Sequence, residues 1–253
     1  MASVTFSIWR GNREAGKFEE YKTDITEGMV VLDAVHQIQA ESAGDLAARW
    51  NCKAGKCGSC SAEINGMPKL MCMTRMHDLP TDTPITIEPM RTFPLIKDLV
   101  TDVSWNYRVK EEIARLKPRK ADIPSATEGG TGQWRMDQGD VERVQEFRKC
   151  IECFLCQDVC HVLRNHHMHG EFIGPRFLTY AAALEMQPID TDDRLAYLKD
   201  KGGIGLCNIT KCCTKVCPEE IHITDNAIIP LKERVVDRFY DPVKRLFRVF
   251  SGG

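Results

Sequence analysis

The residues best equipped for chemistry are cysteines, twelve among 253, and the densest run is Cys150-x2-Cys153-x2-Cys156-x3-Cys160. Thiolates at those gaps suit a cubane iron–sulfur cluster. Three on one tight turn cap three irons, while the fourth lies too far along and serves a second cluster. Such a run demands a partner, and Cys207, Cys212, Cys213 and Cys217, followed by Pro218, supply it. When the two runs are overlaid, Cys150, Cys153, Cys156 and Cys160 align with Cys207, Thr210, Cys213 and Cys217 at identical spacing, a short internal repeat. Thr210 breaks the symmetry, because it stands where a second cysteine belongs. Crossed ligation then predicts two unequal sites. Cys150, Cys153, Cys156 and Cys217 form a complete set for [4Fe–4S]; Cys160, Cys207 and Cys213 leave one corner open, which yields [3Fe–4S]. Cys212 has the position to fill that corner, but adjacent residues point in different directions, so it is expected not to ligate.

An earlier group reads Cys52-x4-Cys57-x2-Cys60, with Cys72 further on. That is the plant-type [2Fe–2S] spacing. Gly55 and Gly58 suit a loop that wraps closely and aims backbone N–H groups at sulfur. Lys53 and Lys56 lie beside a cluster of net negative charge, or else belong to ordinary solvated surface. Zinc is the competing metal, but zinc sites usually pair one short cysteine spacing with another, and Cys72 has no close companion. A disulfide scaffold is the other alternative; those are typically short and secreted, and buried core thiols do not cluster at such gaps.

The elements that must carry these groups read as an α+β chain. Residues 4–10 alternate apolar and polar as a half-buried strand does, a turn follows at 11–16, and 18–23 alternate again. Val31, Leu32, Val35 and Ile38 make one helical face within 30–40. Short strands follow at 61–64, 69–73 and 85–88, with Asn65-Gly66 as a hairpin signal. Ile96, Leu99, Val103, Ile113 and Leu116 recur at helical steps, predicting a helix over 95–116 that Pro118 ends. Residues 117–136, rich in Pro, Gly, Ser and Thr, read as a linker between a ferredoxin-like domain over 1–116 and a mainly helical domain over 137–253. In the latter, helices are predicted over 140–149, from Gly174-Pro175 to Met186, over 195–201, and over 224–240 with a kink at Pro230. His166, His167 and His169 read as a polar loop, with metal binding or proton relay as the alternative. The basic, apolar stretch 241–250 suits a membrane surface, an anchor subunit or plain domain packing.

A net charge of −2 gives no electrostatic footprint for nucleic acid, and no apolar run approaches a membrane span. The chain runs from Met1 into a strand pattern without a signal or transit peptide, which predicts a reducing compartment where clustered thiols bind metal. Neither a G-x-G-x-x-G fingerprint nor a paired acid and base is legible, so the expected chemistry is electron conduction.

The ordered set Cys52/57/60/72, Cys150/153/156/160 and Cys207/213/217, running the length of the chain, resembles the iron–sulfur subunit of succinate dehydrogenase and fumarate reductase. The resemblance implies an N-terminal β-grasp plant-type ferredoxin domain followed by a bacterial-ferredoxin-like two-cluster domain. It implies a [2Fe–2S] cluster facing a flavoprotein subunit with covalent FAD, a [4Fe–4S] cluster in the middle, and a [3Fe–4S] cluster near a quinone at a membrane-anchor subunit, which in some members holds haem. Electrons from succinate would pass along this line to quinone, or in reverse to fumarate, at the cytoplasmic face of a bacterial inner membrane. The chain departs from the pattern after Cys160, where His161 replaces the usual proline. Asn165 and Asn208 stand at the positions of a tryptophan and a histidine in ubiquinone-linked members, which favours menaquinone. His161 and Thr210 are then the candidates for contact with the third cluster and the quinone. The alternatives are the iron–sulfur subunit of another multi-subunit oxidoreductase and a free-standing electron carrier.

Overall fold

A computed structural model describes residues 2–118 and 136–242. The chain opens with a hairpin of β1 (Ala2–Gly11) and β2 (Gly16–Ile25), then α1 (Val31–Glu41), β3 (Ser61–Ile64), β4 (Met67–Leu70) and β5 (Ile85–Glu88). The five strands form one mixed sheet in the order β2-β1-β5-β3-β4, with β1 and β5 parallel and the other pairs antiparallel. Val4, Phe6 and Ile8 of β1, Ile64 of β3, and Ile85 and Ile87 of β5 alternate onto the face that α1 covers with Leu32, Val35 and Ile38, all fully buried. Each such side chain stabilises the unit by about 1.5–3 kcal/mol. The start of α1 is fixed by the Val31 and Leu32 N–H groups, which donate to the Thr74 and Met71 carbonyls. This is the expected β-grasp arrangement, a sheet clasping one helix.

Three predicted elements come out differently. The partner of β3 runs over Met67–Leu70 rather than 69–73. Asn65 and Gly66, with φ of +49° and +73°, form a two-residue turn, so Ile64 pairs directly with Met67. The segment 95–101 is not helical: β6 (Leu95–Lys97) and β7 (Val100–Thr101) make a hairpin, and only α2 (Ser104–Glu112) is helix. Asp98 decides this. It sits at the hairpin tip with φ of +49°, and its buried carboxylate accepts the Gly11 and Ala47 N–H groups, both at 2.9 Å, and pairs with Arg10. The predicted helix over 224–240 splits into a π-helical turn (Ile223–Ile228) and a regular helix that begins at Ile229. Pro230 occupies the first turn of the latter, where its missing N–H costs nothing.

The second layer contains α3 (Gln138–Gln145), a 3₁₀ turn (Glu146–Lys149), α4 (Leu155–Asp158), α5 (His161–Arg164), α6 (Gly174–Glu185), α7 (Leu195–Asp200), α8 (Cys212–Lys215) and α9 (Ile229–Phe239). Its core joins Phe147, Leu163, Phe177, Leu178, Leu198 and Leu231. Met90, Phe93, Val103, Val109 and Ile113 belong to this core too, so α2 packs on the helical side although it precedes the linker. Lys117 also docks there, its N–H donating to Asp190 Oδ1 at 3.0 Å. Most of the linker and the basic stretch from residue 243 onward lie outside the described residues.

Candidate iron–sulfur centres

The loop between α1 and β3 carries Cys52, exposed, Cys57, half-buried, and Cys60, buried. Cys72, also buried, follows β4. Backbone N–H groups point at sulfur: Ala54 and Lys56 at Cys52 Sγ (3.4 and 3.3 Å), Cys52 at Cys57 Sγ and Cys72 at Cys60 Sγ (both 3.5 Å). Burial pushes the Cys60 thiol up to about 12. At Cys57 burial opposes ionisation but the Cys52 and Ser59 N–H groups outweigh it, holding the thiol down at about 6. A loop that donates hydrogen bonds to sulfur stabilises bound thiolate and tunes the potential of what it holds. Gly55 and Gly58 make the wrap possible: both have positive φ, and a Cβ on Gly58 would lie 2.6 Å from Cys153 Cα. Lys56 reaches Glu219 of the helical layer at 3.0 Å, while Lys53 lies over the Trp50 ring.

The second centre unites residues far apart in sequence. Cys150, Cys153, Cys156 and Cys217 line one small hollow, walled by Ile151, Phe154, Ile221, Ile223 and Arg176. Burial pushes the Cys153 thiol up to about 12 and Cys156 well above its ordinary value, further aided by neighbouring thiols. Burial keeps the Cys153, Cys156 and Cys217 thiols protonated, and with Cys150 beside them around an apolar hollow they are a fit for a cationic iron core, because coordination deprotonates a thiol outright. Arg176 is 5% exposed and pairs with Glu152 at 2.6 Å, and Glu152 also holds Lys110. Sequence reasoning passed over these three; an arginine in the first turn of an otherwise apolar helix was the available signal.

The third group contains Cys160 and Cys213, both buried, and Cys207, half-buried. Burial raises the Cys160 thiol to about 11, against the Leu163 and Val162 N–H groups, with Cys212 and Cys207 adding to the rise. Cys213 Sγ lies 3.5 Å from Thr224 Oγ1, and it feels Cys156 of the second centre. Cys212 Sγ lies 3.2 Å from Thr210 Oγ1. His161 is half-buried and hydrogen-bonds Cys212; Thr210, Asn165 and Asn208 are exposed. The repeat read from sequence is present in the backbone. Glu152 and Phe154 have φ of +56° and +62°, the matching Ile209 and Lys211 have +61° and +60°, and a four-residue helix follows each pair.

The plant-type loop abuts the second centre. Ser61 Oγ lies 2.9 Å from the Gly58 carbonyl and 2.8 Å from that of Cys153, which ties the first loop to the second centre. Glu63 of β3, wholly buried, pairs with Arg164 of α5 at 2.8 Å. The histidine group does not converge. His166 and His167 are exposed, whereas His169 packs edge-on to Trp105 at 4.8 Å. Among the described residues no three His, Cys, Asp or Glu side chains gather tightly enough to grip a single ion.

Comparison with known proteins agrees with this layout. A 2Fe-2S iron-sulfur cluster binding domain matches residues 5–107, and a 4Fe-4S dicluster domain matches residues 146–221. The fumarate reductase iron-sulfur subunit of Mycobacterium tuberculosis is 32% identical, covering 82% of this chain and 81% of that protein. The fumarate reductase iron-sulfur subunit of Escherichia coli O157:H7 is 31% identical, covering 87% of this chain and 88% of that protein. A chain of the Mycobacterium smegmatis Sdh1 complex in the apo form superposes with a TM-score of 0.90 at 55% identity, covering 95% of this chain and 98% of its own.

Proposed function

Because the chain belongs to the iron–sulfur subunit family of succinate dehydrogenases and fumarate reductases, we propose that it conducts electrons between a flavoprotein subunit with FAD and a quinone at a membrane-anchor subunit. Cys52, Cys57, Cys60 and Cys72 hold [2Fe–2S]; Cys150, Cys153, Cys156 and Cys217 hold [4Fe–4S]; Cys160, Cys207 and Cys213 hold [3Fe–4S]. When bound, the clusters supply one-electron relays. The chain's own residues place them in line, donate N–H groups to sulfur and keep the middle site dry. The plant-type centre is carried by residues 1–116 and both cubanes by 137–253, with 117–136 as the link. The dicarboxylate and flavin chemistry, and any haem, reside on the partners. Succinate oxidation is the forward direction, and the same line run backward serves fumarate reduction. Menaquinone is the favoured quinone, with His161 and Thr210 on its side of the third cluster. Among the described residues no helix is long and apolar enough to cross a membrane, which fits a peripheral subunit held at the cytoplasmic face of a bacterial inner membrane by its anchor.

The observation that carries the reading is the meeting of Cys217 with Cys150, Cys153 and Cys156 around one hollow, the crossing that a two-cubane chain needs. Electron paramagnetic resonance of the purified complex tests it. A [3Fe–4S] signal as isolated, with a separate [2Fe–2S] signal on mild reduction, is the expected result. A single cubane species, or no iron signal associated with this subunit, would refute it.

A further inference from the structure

Resting on the three-thiolate reading of the third centre, we propose that Cys212 is a reserve ligand for its open corner, making that centre a reversible ferrous-iron site. Two observations meet at one point. By the repeat, Thr210 occupies the place of the missing fourth thiolate. In the fold, the Cys212 sulfur stands 3.2 Å from the Thr210 hydroxyl, so a thiol is delivered to the position the sequence left without one.

The surroundings favour that role over packing. In the first run the residue matching Cys212 is Leu155, which is 1% exposed and buried in the core of the β-grasp layer. Cys212 joins neither apolar core. Among the described residues its polar contacts are with groups of the third centre: the Thr210 hydroxyl, His161 and the Cys213 thiol. Cys160 feels both Cys212 and Cys207. Lys211, immediately before Cys212, has the left-handed φ of +60° that ends the loop, while Ile209 to Lys211 are exposed. Cys212 therefore stands where this exposed loop enters α8, beside the groups of the third centre.

The step balances without a further oxidant or reductant. One electron arriving along the proposed relay, or from dithionite, takes the [3Fe–4S] core to its reduced state. One ferrous ion then enters the corner, Cys212 Sγ forms the new iron–sulfur bond, and its proton leaves to solvent. The product is a [4Fe–4S]²⁺ core with four thiolates. Oxidation and loss of ferrous ion reverse the step. The chemical class of ligand is a thiophilic divalent cation, with ferrous ion the one that completes the cube.

The test uses the whole complex under anaerobic conditions, wild type beside Cys212→Ser and Cys212→Ala. Each is reduced with dithionite, loaded with ⁵⁷Fe²⁺, freed of excess metal and mildly reoxidised. The expected result is a tenfold or greater loss of the wild-type [3Fe–4S] resonance, one ⁵⁷Fe taken up per complex by Mössbauer spectroscopy, and recovery of the resonance after a chelator together with ferricyanide as the one-electron oxidant. Both variants should keep the resonance and take up no label. A wild type isolated already as [4Fe–4S], reverting to [3Fe–4S] in both variants, would make Cys212 a permanent fourth ligand and overturn the reversible site. Equal retention or equal loss in wild type and variants would overturn it. Absence of any [3Fe–4S] resonance from all three proteins would instead overturn the three-thiolate reading on which the inference stands.

Discussion

Alanine at Gly58 probes the contact between the plant-type loop and the first cubane turn, and the structure sets its size. Gly58 has φ of +67°, so any Cβ carries the left-handed penalty of about 1–2 kcal/mol. The added atom would also lie 2.6 Å from Cys153 Cα and 2.9 Å from both its Cβ and N, all parts of the turn that carries the first cubane run of cysteines. Ordinary carbon contacts sit at about 3.5–4.0 Å, so the loop must retreat by roughly 1 Å; such overpacking costs a further ~1–3 kcal/mol. Gly66→Ala is the control: φ is +73°, yet nothing lies within 4 Å of its Cβ, so it carries the backbone penalty alone. The difference between the two variants isolates the contact at about 2 kcal/mol, or ~4–8 °C in the midpoint of thermal bleaching of the clusters for a chain this long. Rapid-freeze resonance should also show slower filling of the [4Fe–4S] centre from [2Fe–2S] in Gly58→Ala and an unchanged rate in Gly66→Ala. Equal midpoints and equal rates for the two variants would refute the claim that Gly58 seats one centre against the next.

Three further outcomes follow from other contacts. Crossed ligation predicts that Cys217→Ser loses the [4Fe–4S] resonance and keeps [3Fe–4S], while Cys160→Ser does the reverse; spectra that assign each cysteine to its own run would reject the crossing. Arg164→Met leaves the fully buried Glu63 with Arg91 alone, whose backbone N–H donates at 3.4 Å and whose guanidinium lies at 3.5 Å, for a loss of ~3 kcal/mol in denaturant unfolding, and Glu63→Gln added to it should restore part of that. Burial holds the His169 imidazole below its ordinary value, so the folded state binds its proton less readily than the unfolded state does. Stability from His169 is therefore present above about pH 6.5 and lost as pH falls below it. The urea midpoint of His169→Phe should fall less between neutral and mildly acid pH than that of wild type, and parallel profiles would remove His169 as the cause.

The cysteine pattern was legible because ligand spacing is local and because a repeat can be compared with itself; the left-handed residues at Glu152, Phe154, Ile209 and Lys211 show that the backbone follows the same repeat. The grasp of β1, β2, β5 and α1 was legible for a related reason, since alternation and helical steps are short-range. The hairpin at 95–101 was not. Its helical spacing is real, but Asp98 takes its partners from Gly11 and Ala47, 87 and 51 residues away, and no local pattern encodes them. The side on which α2 packs was hidden likewise, because Val109 and Ile113 face apolar residues that arrive only after the linker. Glu63 and Arg164 read as unrelated charges until the fold brings them together across 101 residues.

Cys153 and Leu155 belong to the apolar core of the β-grasp layer, although they sit in the turn of the first cubane run. The two layers therefore share interior atoms, so whatever orders the Cys153 turn also orders the seat of the plant-type loop. Where a site forms only in the folded chain, the free energy of binding metal is free energy of folding. The seat of the plant-type loop is the Cys153 turn itself, through the close approach of Gly58 and the Ser61 hydroxyl on the Cys153 carbonyl. On the proposed assignment, filling the middle centre and seating the plant-type loop would be one cooperative step rather than two.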